Sequence, residues 1–119
     1  MKKRKIIKEE NENVKVLIKD HRDRKGGHPH IILEDIEDKH VSVGLSKSDS
    51  KGKGSTNYKM KRNYTGKEED SYMRRQGTVD YKKNYYGPRK GVIHKDDLER
   101  AKIYGGRAKE KYLNKGKKK

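Results

Sequence analysis

A chain of 119 residues suits one domain, and with 27 % hydrophobic residues, no Phe and no Trp it supports only a small core. Charged residues reach 44 %, and Lys and Arg outnumber Asp and Glu by 34 to 18, a net charge of +16 that concentrates polyanions at the surface. With no cysteine, disulfides and thiolate chemistry are excluded, which fits a reducing compartment.

The start, Met1-Lys2-Lys3-Arg4-Lys5-Ile6-Ile7, resembles a signal peptide, but its apolar run stops at Lys8-Glu9-Glu10 before any h-region forms. Residues 1–12 read as a flexible basic arm and residues 13–113 as one small domain. A cytoplasmic location is expected. In Val14-Lys15-Val16-Leu17-Ile18-Lys19, period-two alternation predicts a first strand with Val14, Val16 and Ile18 on one face. Asp20 to Gly27 reads as a polar loop ending in a glycine turn. His30-Ile31-Ile32-Leu33-Glu34 and His40-Val41-Ser42-Val43-Gly44-Leu45 predict an antiparallel hairpin about a turn at 35–39.

From Ser46 to Asn57 the chain is rich in Ser, Gly and Lys, holds no aliphatic residue, and reads as an exposed flexible loop. Short strands are predicted at 58–62, 71–75 and 77–81, with a break at Gly87-Pro88. The last segment is predicted helical. Asp96 and Glu99 form a capping-box pattern, and Leu98, Ala101, Gly105, Ala108 and Tyr112 form a narrow apolar stripe. Gly105-Gly106 costs roughly 1 kcal/mol per glycine there and implies a kink or a close approach to the sheet. Residues 114–119 read as a basic disordered tail.

Charge divides the chain. Residues 1–45 hold 11 basic and 9 acidic side chains, whereas residues 46–119 hold 23 and 9, a net of +14. All eight tyrosines fall in the second part, interleaved with cations as in Tyr58-Lys59-Met60-Lys61-Arg62 and Tyr81-Lys82-Lys83. Cations hold phosphates while aromatic rings stack on unpaired bases, so this pattern suits RNA or single-stranded nucleic acid. The candidate binding residues are Lys47, Lys51, Lys53, Lys59, Lys61, Arg62, Tyr72, Arg74, Arg75, Tyr81, Lys82 and Lys83. A tyrosine in so small a core is equally a packing residue.

His28 and His30 share a strand face, and His40 lies on the neighbouring strand. The three have the placement of a metal group, but packing or hydrogen bonding is the commoner role for such histidines. No metal and no cofactor is expected. Metal-free RNA cleavage needs a base, an acid and cations on the phosphate. Histidine and the Ser46 region supply candidates for those roles.

Gly26-Gly27-His28-Pro29, Ile31-Ile32-Leu33, Val41-Ser42-Val43-Gly44-Leu45 followed by Ser46-Lys47-Ser48, and a terminal helix together resemble the MazF/PemK-like toxins, over roughly residues 14–113. That resemblance implies an SH3-like barrel and metal-independent cleavage of single-stranded RNA. The family's catalytic Arg stands just before the proline, a position occupied here by His28. The family's Thr or Ser after the second aliphatic strand corresponds to Ser46. Asp70 to Val79 and Glu99-Arg100-Ala101-Lys102 also resemble small basic proteins of Gram-positive mobile elements.

The expected fold is α+β, mainly β: a small, strongly bent antiparallel sheet or SH3-like barrel with one C-terminal helix. The expected function is nucleic-acid binding. Two alternatives are a MazF/PemK-like endoribonuclease acting through His28 and Ser46, and a module docking an acidic protein such as an antitoxin.

Overall fold

The computed structural model describes residues 12–23, 26–52 and 55–117. Its strands are β1 Asn13–Asp23, β2 Gly26–Ile36, β3 Lys39–Ser46, β4 Ser50–Gly52, β5 Ser55–Thr56, β6 Tyr58–Lys59, β7 Tyr72–Tyr81 and β8 Tyr85–His94; helix α1 spans Lys95–Lys117. Six strands form one sheet in the order β6-β7-β3-β2-β1-β8, with every neighbouring pair antiparallel. The expected mainly-β α+β fold with one C-terminal helix is present. Its sheet is bent but not closed by strand pairing.

Chain connectivity forces the bend. Strands β7 and β8 are separated by β3, β2 and β1, about 19 Å across a flat sheet. A single 3-10 turn, Lys82–Asn84, joins them, and four residue steps reach only about 14 Å. The sheet must therefore curl until β7 and β8 approach each other. On the far side, Val92 N–H donates to the Tyr64 carbonyl at 3.2 Å and Arg62 Nε to the Val92 carbonyl at 3.0 Å. These bonds tie the loop after β6 to the outer edge of β8.

Strand alternation sorts the side chains. Ile18, Ile31 and Val43 line up across β1, β2 and β3, and Gly77 continues the row on β7. This apolar face packs against Ala101 and Tyr104 of α1, with Leu45, Met60, Met73 and Ile93 completing the core. The other face is polar and lies inside the bend. On it Tyr85 of β8 reaches Ser42 of β3, three strands away.

Several predicted boundaries move. Strands β1 and β2 run on through Asp20–Asp23 and Gly26–Pro29, where a loop was expected, and His21 pairs with His28. The predicted strands at 71–75 and 77–81 are one strand, β7. Pro88 does not break β8, because β8 is the last strand of the sheet and Pro88 lies where the β1–β8 register shifts, between the Ile18–Arg89 and Asp20–Tyr86 pairs. Gly87 beside it has φ 122°, which a glycine adopts freely. The supposed loop at 46–57 contains β4 and β5. It is also pinned by Asn57, which is buried and bonds back to the carbonyls of Ser48 (2.9 Å) and Asp49 (2.8 Å).

Helix α1 is capped by His94, whose Nδ1 accepts the Asp96 N–H at 3.0 Å, rather than by Asp96 itself. It extends to Lys117, through most of the expected tail. Of its glycine pair only Gly105 meets the sheet, where a Cβ would lie 2.2 Å from Leu33 Cδ1; Gly106 has open space. Residues 1–11, the bulk of the expected arm, lie outside the described residues, as do 118–119.

Candidate functional site

The polar face inside the bend gathers three histidines, a tyrosine and two carboxylates. His21 comes from β1, His30 from β2, His40 and Ser42 from β3, Asp80 from β7 and Tyr85 from β8. His21 Nε2 donates to Asp80 Oδ2 at 2.7 Å, because a carboxylate only accepts. Asp80 also accepts the Tyr81 N–H at 2.7 Å and Asn84 Nδ2 at 3.0 Å. Burial pushes the Asp80 carboxyl up, but His21 and those two donors outweigh it and hold the group below the usual carboxylate range.

His40 is oriented from both sides. Lys19 Nζ, which only donates, lies 3.0 Å from His40 Nε2, so Nδ1 carries the proton that bonds Asp35 Oδ1 at 2.7 Å. That bond, chiefly, keeps the Asp35 carboxyl low. His30 Nδ1 lies 2.9 Å from Ser42 Oγ, which lies 2.8 Å from the Tyr85 hydroxyl. Tyr85 is the hub, its ring centroid 4.7 Å from that of His21 and 4.9 Å from that of His40.

Accessibility divides the group. Ser42 has no exposed surface, and His30, His40 and Tyr85 are buried. The His21 and Asp80 side chains keep 13 % and 28 % of theirs. A histidine oriented by a carboxylate is the arrangement of a general base or acid. His21–Asp80 is thus the pair of the group that solvent reaches, and Ser42 serves as an internal link. Among the described residues no group of three or more His, Cys, Asp or Glu is disposed to hold a metal ion.

Burial pushes the Tyr85 hydroxyl up to about 12, against a weaker opposing effect of the Ser42 hydrogen bond. An unfolded tyrosine ionises near 10, so unfolding gains from ionisation between about pH 10 and 12. The Tyr85 contribution is complete below pH 10 and declines as pH rises through 12, by about 3 kcal/mol. We expect Tyr85→Phe to be the less stable protein at pH 8, by about 1 kcal/mol for the lost bond. We expect it to be the more stable at pH 12. Urea unfolding at the two pH values checks this, and an unchanged difference would refute it.

The sequence-derived candidates are dispersed over the fold. His28 on β2 stands opposite His21, and Ser46 ends β3; the β2–β3 pairing stops at His30–Gly44, two residues short of both. Ser46 Oγ accepts the Ser48 N–H at 3.1 Å. Lys59 pairs with Asp70 at 3.8 Å, Lys61 with Asp96 at 2.5 Å and Lys82 with Asp35 at 3.3 Å. Arg62 bonds the Val92 carbonyl, and Arg75 Nε the Thr56 carbonyl at 3.0 Å. Tyr81 is exposed, with Lys39 and Lys83 over its ring at 4.4 and 5.6 Å. Tyr72 lies on β7 between Lys59 and Ser46. Arg74 is half-buried, and its Cδ lies 3.4 Å from the position a Cβ on Gly44 would take, beside His30. Lys47 is exposed just past β3 and Lys51 lies on β4, while Lys53 is outside the described residues.

Sequence reading missed His21, Asp80 and Tyr85. The available signal was the alternation His40-Val41-Ser42-Val43-Gly44-Leu45, whose polar members form a second face that is also buried. No family model, no curated protein and no solved structure matches the chain. No helix among the described residues is long and apolar enough to cross a membrane.

Proposed function

We propose that this chain binds RNA or single-stranded nucleic acid, as a cytoplasmic protein. The observation that carries the reading is the confinement of the cation excess: residues 46–119 carry a net charge of +14. The described ion pairs tie up only part of it, since Lys47, Lys67, Lys90, Arg107, Lys111 and Lys115 pair with no carboxylate among the described residues. Free cations over a polyanion release counterions, so affinity falls steeply with salt. If four phosphates are neutralised, raising salt from about 50 to 200 mM weakens binding of a single-stranded oligonucleotide by about 50-fold. Fluorescence anisotropy measures this. Salt-independent retention, or none in dilute buffer, removes the reading.

A second reading, metal-independent RNA cleavage, is favoured by the His21–Asp80 pair with His28 opposite it. It predicts cleaved RNA in chelator and loss of cleavage on His21→Ala. Persistence of cleavage in His28→Ala and Ser46→Ala would confine the site to His21 and its neighbours. An acidic protein partner would instead show as a pull-down insensitive to nuclease.

A further inference from the structure

We infer that the groove between β7 and the C-terminal half of α1 is the track for one unpaired polynucleotide strand, a placement that rests on the nucleic-acid reading above. Arg107, Lys111 and Lys115 recur every fourth residue on α1 and line one side of a cavity of about 380 Å³; Arg75 of β7 lines the other. No carboxylate lines it among the described residues. The three helical cations pair with no carboxylate among the described residues, whereas Lys102 and Lys109 on the same helix pair with Glu99 and Glu34. The groove is therefore where three unpaired cations of α1 line up along one side.

The spacing and the floor select the ligand. Positions four apart on a helix step by about 6 Å, a rise suited to successive phosphates of an extended strand. The floor is apolar and aromatic, with the half-buried Tyr112 presenting the accessible ring and the buried Tyr104 also lining it. The Tyr104 hydroxyl is buried and has no hydrogen-bond partner among the described residues. Aromatic surface under a cationic rim suits bases of single strands. A duplex, with its bases stacked inside, offers the floor nothing. At Arg75 the groove joins a second cavity of about 530 Å³, lined also by Arg74, Gln76 and Thr78. Arg74 stands beside His30, so the track leads from α1 toward the histidine face.

The test uses the full chain and two triple variants of equal charge change. One is Arg107→Gln, Lys111→Gln and Lys115→Gln; the control is Lys15→Gln, Lys95→Gln and Lys102→Gln, all exposed, off the groove and outside the cations assigned to binding. Oligo-uridylate and oligo-thymidylate are titrated at several salt concentrations, with duplex DNA and polyglutamate as competitors, and folding is checked by circular dichroism. We expect the groove triple to lose about tenfold or more in affinity at low salt and its logarithmic salt slope to shallow by about 2, the control changing by less than about threefold. Loss with one sugar type only names that strand as the ligand. Equal losses in the two triples, or polyglutamate competing as well as oligonucleotide, would overturn the groove while leaving the binding reading in place. Wild-type protein that retains neither oligonucleotide would remove both.

Discussion

Asp97→Ala is expected to lower stability by about 4 kcal/mol, the largest single loss for any side chain that bonds the backbone here. Asp97 is fully buried in the first turn of α1. Its Oδ1 accepts the Lys61 N–H at 2.9 Å and the Tyr58 hydroxyl at 3.2 Å, and its Oδ2 accepts the Arg62 N–H at 3.1 Å. Removing the carboxylate strands two amides and a hydroxyl, each costing about 1–3 kcal/mol when unsatisfied. It also removes a negative charge from a helix N-terminus. Asp97→Asn keeps one acceptor oxygen and should fall between alanine and wild type. Urea unfolding of the three proteins reads this, and an alanine variant within about 1 kcal/mol of wild type would show that water replaces the carboxylate. The consequence reaches the basic surface, because Asp97 fixes the segment carrying Lys59, Lys61 and Arg62.

The parts of the fold that could be read in advance are those where one physical signal dominates. Val41, Val43 and Leu45 alternate with smaller or polar residues, and the β2–β3 hairpin follows from that alternation. Helix α1 follows from its apolar stripe. The ends of β1 and β2 were hidden because His21 and His28 are polar yet paired within the sheet. Hydrophobic periodicity is silent where both faces of a strand are covered and one of them is polar. The site failed for a related reason. Lys61 and Lys82 look available in the sequence, and are neutralised by Asp96 and Asp35, which only the fold brings close. Arg107 and Lys111 gained significance only when β7 was seen to flank them.

The second large effect is expected from Gly77→Ala. Ile18, Ile31 and Val43 fill the row beneath α1, and at its end Gly77 lets the helix settle onto the sheet. A Cβ at Gly77 would lie 2.7 Å from the Tyr104 carbonyl oxygen and 2.9 Å from Gly105 Cα, both backbone atoms of α1. A side chain could rotate away, whereas a helix backbone can only be displaced. The overpacking should cost about 3 kcal/mol, or a drop of roughly 10 °C in Tm. Two neighbours calibrate the result. Gly105→Ala meets Leu33 Cδ1, the end of a flexible side chain, and should cost less. Gly106→Ala meets nothing and should stabilise by about 1 kcal/mol through helix propensity alone. Thermal melts of the three variants must therefore rank 106 above wild type, then 105, then 77. If Gly77→Ala melts with wild type, α1 is not held by the close approach at β7, and the groove between them has no fixed width in which to hold a strand.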